Sequence, residues 1–97
     1  MSFFISIDPG NKKCGLLLAD NKSGYVISAA ISSLYKFSDL VSLWYEDYNI
    51  DKIIIGDGTN CKYVENELKQ KNIFNLNYID ERGSTLRARF RYWEIWP

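Results

Sequence analysis

Three consecutive isoleucines, Ile53-Ile54-Ile55, preceded by Asp51-Lys52 and stopped by Gly56-Asp57-Gly58, constrain the fold more than any other segment. A run that is apolar at every position suits a strand covered on both faces, the pattern of an interior parallel strand rather than of a half-solvated one. Such a strand needs a neighbour running the same way, and Phe3-Phe4-Ile5-Ser6-Ile7 supplies it near the amino terminus. The two are expected side by side, joined through a right-handed crossover.

The segments between and after them complete an α/β order. Asp8-Pro9-Gly10 ends the first apolar run in residues that favour turns, and Cys14-Gly15-Leu16-Leu17-Leu18-Ala19-Asp20 returns as a second strand. Asp20-Asn21-Lys22-Ser23 signals another turn before Gly24-Tyr25-Val26-Ile27-Ser28-Ala29-Ala30-Ile31, so the first three strands form a meander. From Ser38 the spacing becomes helical through Leu40, Val41, Leu43, Trp44 and Tyr45, with Ser38 or Asp39 as the cap. A second helix is expected from Thr59 or Asn60 through Lys71, a fifth strand over residues 73–79, and a last helix over residues 85–93 behind the cap Ser84. The prediction is a mixed five-stranded sheet in the order 3-2-1-4-5, with strands 1, 4 and 5 parallel.

A chain of 97 residues that is 46% hydrophobic and 15% aromatic builds one modest core, so residues 1–97 are read as a single domain. Twelve basic and twelve acidic side chains cancel, and any attraction to a polyanion must come from a local patch. Cys14 and Cys61 form no disulfide framework and lack metal-type spacing, which suits a reducing cytoplasm. With no signal-peptide pattern and no apolar run of membrane-spanning length, the chain is expected to be soluble and unprocessed.

In an open α/β sheet, ligands bind at the carboxyl ends of the parallel strands. The residues expected there are Asp8, Asp57 and the pair Asp80-Glu81, each following an apolar run. Gathered on one edge, they would suit magnesium or manganese, hard cations that take one or two carboxylates and leave positions for water and substrate phosphate. Two such ions clamp the attacking and leaving oxygens of a phosphodiester. Plainer readings stand beside these. Asp8-Pro9-Gly10 also suits an ordinary hairpin turn, and Asp80 and Glu81 also favour the start of the last helix through its dipole. Gly58 and Thr59 suit either a helix cap or a phosphate cradle of backbone amides.

These residues carry a family resemblance. Ile5-Ser6-Ile7-Asp8-Pro9-Gly10 with Gly15 beyond it, and Tyr78-Ile79-Asp80-Glu81-Arg82 followed by Ser84-Thr85 and Ala88, resemble the two motifs of the RNase H-like nucleases. The likeness is closest to the YqgF-type group of Holliday-junction-resolvase-like and ribosomal-RNA-precursor nucleases. It implies an RNase H-like fold, Asp8 and Glu81 as catalytic metal ligands, magnesium or manganese as cofactor, and structured RNA or branched DNA as substrate. In the family a third acid lies on a further carboxyl-terminal helix, and this chain reaches Pro97 before any such segment. Where the YqgF pattern carries an apolar residue followed by proline, this chain has Asp57. Two readings follow: Asp57 supplies the third carboxylate, or the protein is a catalytically silent nucleic-acid-binding module. The related sugar-kinase and actin-like fold also opens with an Asp-x-Gly hairpin, although it belongs to much longer chains.

Basic and aromatic residues supply the contacts such a substrate needs. Lys12 and Lys13 sit in the turn beside Asp8, and Arg82, Arg87, Arg89 and Arg91 alternate with Phe90, Tyr92, Trp93 and Trp96. Arginine binds phosphate and aromatic faces stack on exposed bases. The same aromatic segment also suits packing of a last helix on the sheet, or a homodimer interface. Cys14 is read as a small buried hydrophobe, and neither cysteine is given a catalytic role.

Overall fold

The computed structural model describes residues 2–56 and 60–78. Its elements are β1 (Phe3–Pro9), β2 (Lys13–Asp20), β3 (Val26–Ser33), α1 (Phe37–Asp47), β4 (Ile50–Ile55), α2 (Cys61–Gln70) and β5 (Leu76–Tyr78). The five strands form one sheet in the order β3-β2-β1-β4-β5. The meander is antiparallel, and β4 runs parallel to both β1 and β5. Sheet order and strand directions are those expected from the apolar runs, and the last helix expected over residues 85–93 lies outside the described residues.

Alternation along the strands sorts the side chains onto two faces. Ile5 and Ile7 of β1, paired with Leu18 and Leu16 of β2, join Ile53 and Ile55 of β4 on the face that both helices cover. Helix α1 buries Phe37, Val41 and Trp44 there, and α2 buries Val64 and Leu68. On the other face Phe4, Leu17 and Ala19 form a smaller cluster with Ile54 against it. The isoleucine run is thus apolar throughout because its alternate residues serve two clusters.

Four boundaries differ from expectation. Strand β1 continues past Ile7 through Asp8 and Pro9, which pair with Gly15 and Cys14 and leave the turn to residues 10–12. Helix α1 starts at Phe37 with Lys36 as its cap and no side-chain cap bond, so neither Ser38 nor Asp39 caps it. Phe37 is fully buried, and burying that ring sets the start in place of a capping hydroxyl. Asp39 instead meets Lys71 at 3.3 Å, an exposed pair of small worth. Strand β3 begins at Val26 rather than Gly24, because Gly24 adopts φ 75° in a turn closed by its N–H on the Asp20 carbonyl at 2.8 Å.

The fifth strand is shorter than residues 73–79, since Ile73 ends α2 instead of starting β5. The Ile73 N–H donates to the Leu68 carbonyl and the Asn72 N–H to the Lys69 carbonyl, both at 3.0 Å, while Asn72 takes φ 63°. This is a Schellman ending with asparagine in the left-handed position, and Ile73 packs in the same cluster as Leu68. Asn72→Gly is therefore expected to leave urea-denaturation stability equal or higher. Asn72→Ala should lower it by about 1 kcal/mol, because alanine pays the left-handed penalty without asparagine's local hydrogen bonding. Equal stability of the alanine and glycine variants would contradict this assignment.

Candidate functional site

The site is built where β1, β4 and α2 meet. In the parallel pairing Ile7 stands opposite Ile55 and Ile55 opposite Tyr78, so three strands end at nearly one level. Asp8 follows Ile7 and is half-buried on the face away from the helices, across from Gly15 of β2. The Gly56 N–H donates to the Ile7 carbonyl at 2.8 Å, carrying the parallel ladder one residue past β4. A Cβ at Gly56 would lie 3.5 Å from Asp8 Oδ1 and 3.5 Å from the Ile7 carbonyl oxygen. The bare main chain of Gly56 therefore borders the Asp8 carboxylate, with room for a methyl group and little beyond.

The turn that follows Asp8 and Pro9 is tied down on both sides. The Gly10 N–H donates to the Lys13 carbonyl at 2.8 Å and closes the hairpin. A Cβ on Gly10 would stand 2.7 Å from that same oxygen, so the close approach, more than turn preference, demands glycine. The Leu34 N–H donates to the Lys12 carbonyl at 3.1 Å, joining the turn to the segment before α1. Asn60 Nδ2 donates to the Gly10 carbonyl at 2.7 Å and reaches the Asn11 carbonyl at 3.4 Å. Asn60 stands at the cap position of α2 but makes no side-chain cap bond; its Nδ2 donates to the hairpin instead. A clamp across fifty residues has no local sequence signature, and the sequence singles out Asn60 only as a helix start.

Cys14, fully buried beside Pro9, has its thiol pushed up to about 11, first by burial and then by the negative charge of Asp8. That matches its reading as a buried hydrophobe and removes it as a nucleophile at neutral pH. Ser6 shares a strand face with Asp8; its Oγ is buried and has no hydrogen-bond partner among the described residues, a cost of about 1–3 kcal/mol. Serine inside an apolar strand gave no reason to single it out. Lys12 and Lys13 are exposed at the hairpin tip.

Of the acids expected on this edge, the structure places Asp8. Asp57 follows Gly56 directly in the chain, and it lies outside the described residues together with Gly58, Thr59, Glu81, Arg82, Arg87 and Arg89. The aromatic segment through which a homodimer is expected lies outside them as well. Among the described residues no three of His, Cys, Asp and Glu come together as a metal cluster. No described helix is long and apolar enough to cross a membrane.

No family model matches the chain, and no curated protein matches it. Solved structures do. Thermus thermophilus RuvC, in complex with a Holliday junction substrate, superposes with a TM-score of 0.66 at 7% identity, over 84% of this chain and 66% of the RuvC chain. Two structures of the Aquifex aeolicus Ppx/GppA enzyme align at TM-scores of 0.49 and 0.48 with 14% identity, over 81% and 80% of this chain and 36% of theirs. This chain thus spans about two thirds of RuvC's length. Sheet order, strand directions and the RuvC superposition together make the fold RNase H-like.

Two outcomes test this local geometry. Gly10→Ala should lower stability by about 1–3 kcal/mol, since the methyl must displace the Lys13 carbonyl that closes the hairpin; full tolerance would show that the turn is not so tight. With chelator present, stability should be intact below about pH 9 and fall as pH rises towards 11, because the unfolded chain releases the Cys14 proton before the folded one does. Cys14→Ala should flatten that alkaline fall; an unchanged slope would mean that Cys14 does not titrate as a buried thiol.

Proposed function

We propose that this chain is a metal-dependent nuclease of the Holliday-junction-resolvase-like, YqgF type, hydrolysing phosphodiester bonds in structured RNA or branched DNA. The observation that carries the reading is the placement of Asp8. It stands at the carboxyl end of an interior parallel strand, against the bare backbone of Gly56, in an RNase H-like sheet. Ligands of open α/β sheets bind at that edge.

The donor chemistry suits magnesium or manganese. Asp8 offers hard carboxylate oxygens, Gly56 adds no side chain beside them, and such ions accept one or two carboxylates with the remaining positions left to water and phosphate. In this proposal Glu81 and Asp57 complete the donor set. Bound there, the ion would supply positive charge to the phosphodiester oxygens and promote ionisation of the attacking water. The chain's own residues hold and orient: the Asn60 clamp and the Gly10 closure keep Asp8 from swinging with the hairpin. Lys12, Lys13, Gly58, Thr59, Arg82, Arg87 and Arg89 are assigned to substrate phosphates, and the cytoplasm is the proposed location.

The test is cleavage of a four-way DNA junction and of a base-paired RNA with magnesium or manganese. Asp8→Asn should reduce it by more than the roughly 10–100-fold that loss of an outer-shell partner costs. Cleavage that survives both chelator and Asp8→Asn overturns the proposal. Salt-sensitive binding without cleavage by the wild type would favour the silent binding module.

A further inference from the structure

On the helix-covered side of the same hairpin lies an open cavity of about 440 Å³ lined by Asn11, Lys12, Leu34, Tyr35, Asn60 and Tyr63. Its volume falls in the range of small-molecule and cofactor sites. Leu34 is buried with the main core, whereas Tyr35 is 84% and Tyr63 37% exposed. Two large aromatic side chains are thus left at the surface beside one hollow. The Tyr63 hydroxyl reaches Glu67 Oε1 at 3.4 Å, one turn further along α2.

Among the described residues, lysines are the charged groups on or next to the lining of the hollow. Lys12 lines it, and Lys13, Lys36 and Lys62, each adjacent in sequence to a lining residue, are exposed. Among the described residues no carboxylate lines it, and Glu67 meets it only through the Tyr63 hydroxyl. The ion pairs among the described residues engage Lys69 and Lys71 and none of these four. In a chain whose twelve basic and twelve acidic groups balance, this is a local cationic and aromatic patch. Lysine-rimmed aromatic surfaces fit single-stranded nucleic acid, whose phosphates meet the cations while unpaired bases stack on the rings.

Its position links it to Asp8. The hairpin that ends β1 at Asp8 and Pro9 supplies Asn11 and Lys12 to the hollow, and Asn60, which lines the hollow, also clamps the Gly10 carbonyl at 2.7 Å. Asp8 and the hollow therefore sit on opposite faces of one anchored turn, with Lys12 and Lys13 on its exposed tip. The geometry points to a subsite for an unpaired nucleotide: a strand engaged at Asp8 crosses the hairpin tip and lodges a base against Tyr35 and Tyr63. The path past Asp8 rests on the nuclease reading, whereas the cationic, aromatic hollow stands on its own residues.

The full chain is tested in chelator by fluorescence anisotropy with an oligonucleotide carrying a single-stranded end, and with a blunt duplex of the same length. Tyr35→Ala and Tyr63→Ala should each weaken binding of the single-stranded end by about 5–100-fold. They should leave blunt-duplex binding unchanged, and Tyr35→Phe should bind as the wild type does. Lys12→Gln should lessen the salt dependence by about one phosphate contact. Tyr35 is too exposed for its loss to disturb the fold, so wild-type affinity in both alanine variants overturns the subsite. So does an abasic end that binds as tightly as one with bases. Metal-dependent cleavage by wild type and Asp8→Asn is measured in parallel. Persistence of cleavage in Asp8→Asn alongside weakened binding by the tyrosine variants would reject the nuclease reading and keep the subsite.

Discussion

The parallel pairing of β1 with β4 is the constraint on which the rest depends. It brings Ile5 and Ile7 beside Ile53 and Ile55 to make the floor under both helices, and it ends with the Gly56 N–H on the Ile7 carbonyl at 2.8 Å. Because side chains alternate along a strand, that register leaves Asp8 on the opposite face, at the strand's end. A slip of one residue would turn Ile5 and Ile7 out of the core and carry Asp8 under the helices, so burial of the isoleucines is what holds the carboxylate at the rim.

Around that pairing, tethers of a different kind fix the hairpin. Hydrophobic burial is non-directional and sets the sheet against the helices, but it does not aim a turn. The aim comes from directional bonds: Gly10 to Lys13, Leu34 to Lys12, and the Asn60 amide to the Gly10 carbonyl. Each ends on the short segment between β1 and β2. That segment, which follows Asp8 and Pro9 and borders the tyrosine-lined hollow, is thereby anchored by α2 and by the approach to α1.

Sheet order and strand direction could be read from the chain because they follow from apolar patterning and from the rule for parallel connections. The place of Asp8 could be read for the same reason, since the end of an apolar run puts it at the sheet's edge, although β1 itself continues through Pro9. Helix ends were read less well. Ile73, counted as strand because it is apolar, serves as the hydrophobic partner of Leu68 in the helix ending, and Phe37 starts α1 by burial where a hydroxyl cap was expected. Asn60 and the pair Tyr35 and Tyr63 were missed because their roles come from contacts between distant segments, which neither periodicity nor local motif records. Asp57 and Glu81, assigned from spacing and resemblance, lie outside the described residues.

The central claim is that acids far apart in the chain converge beside Asp8 to hold a divalent cation. Anomalous diffraction at the manganese edge from crystals soaked in manganese tests it directly. The account predicts a peak within coordinating reach of the Asp8 carboxylate, with Glu81 contributing an oxygen to the same ion. A peak remote from Asp8, or Glu81 on the far side of the sheet from a metal bound at Asp8, would contradict it.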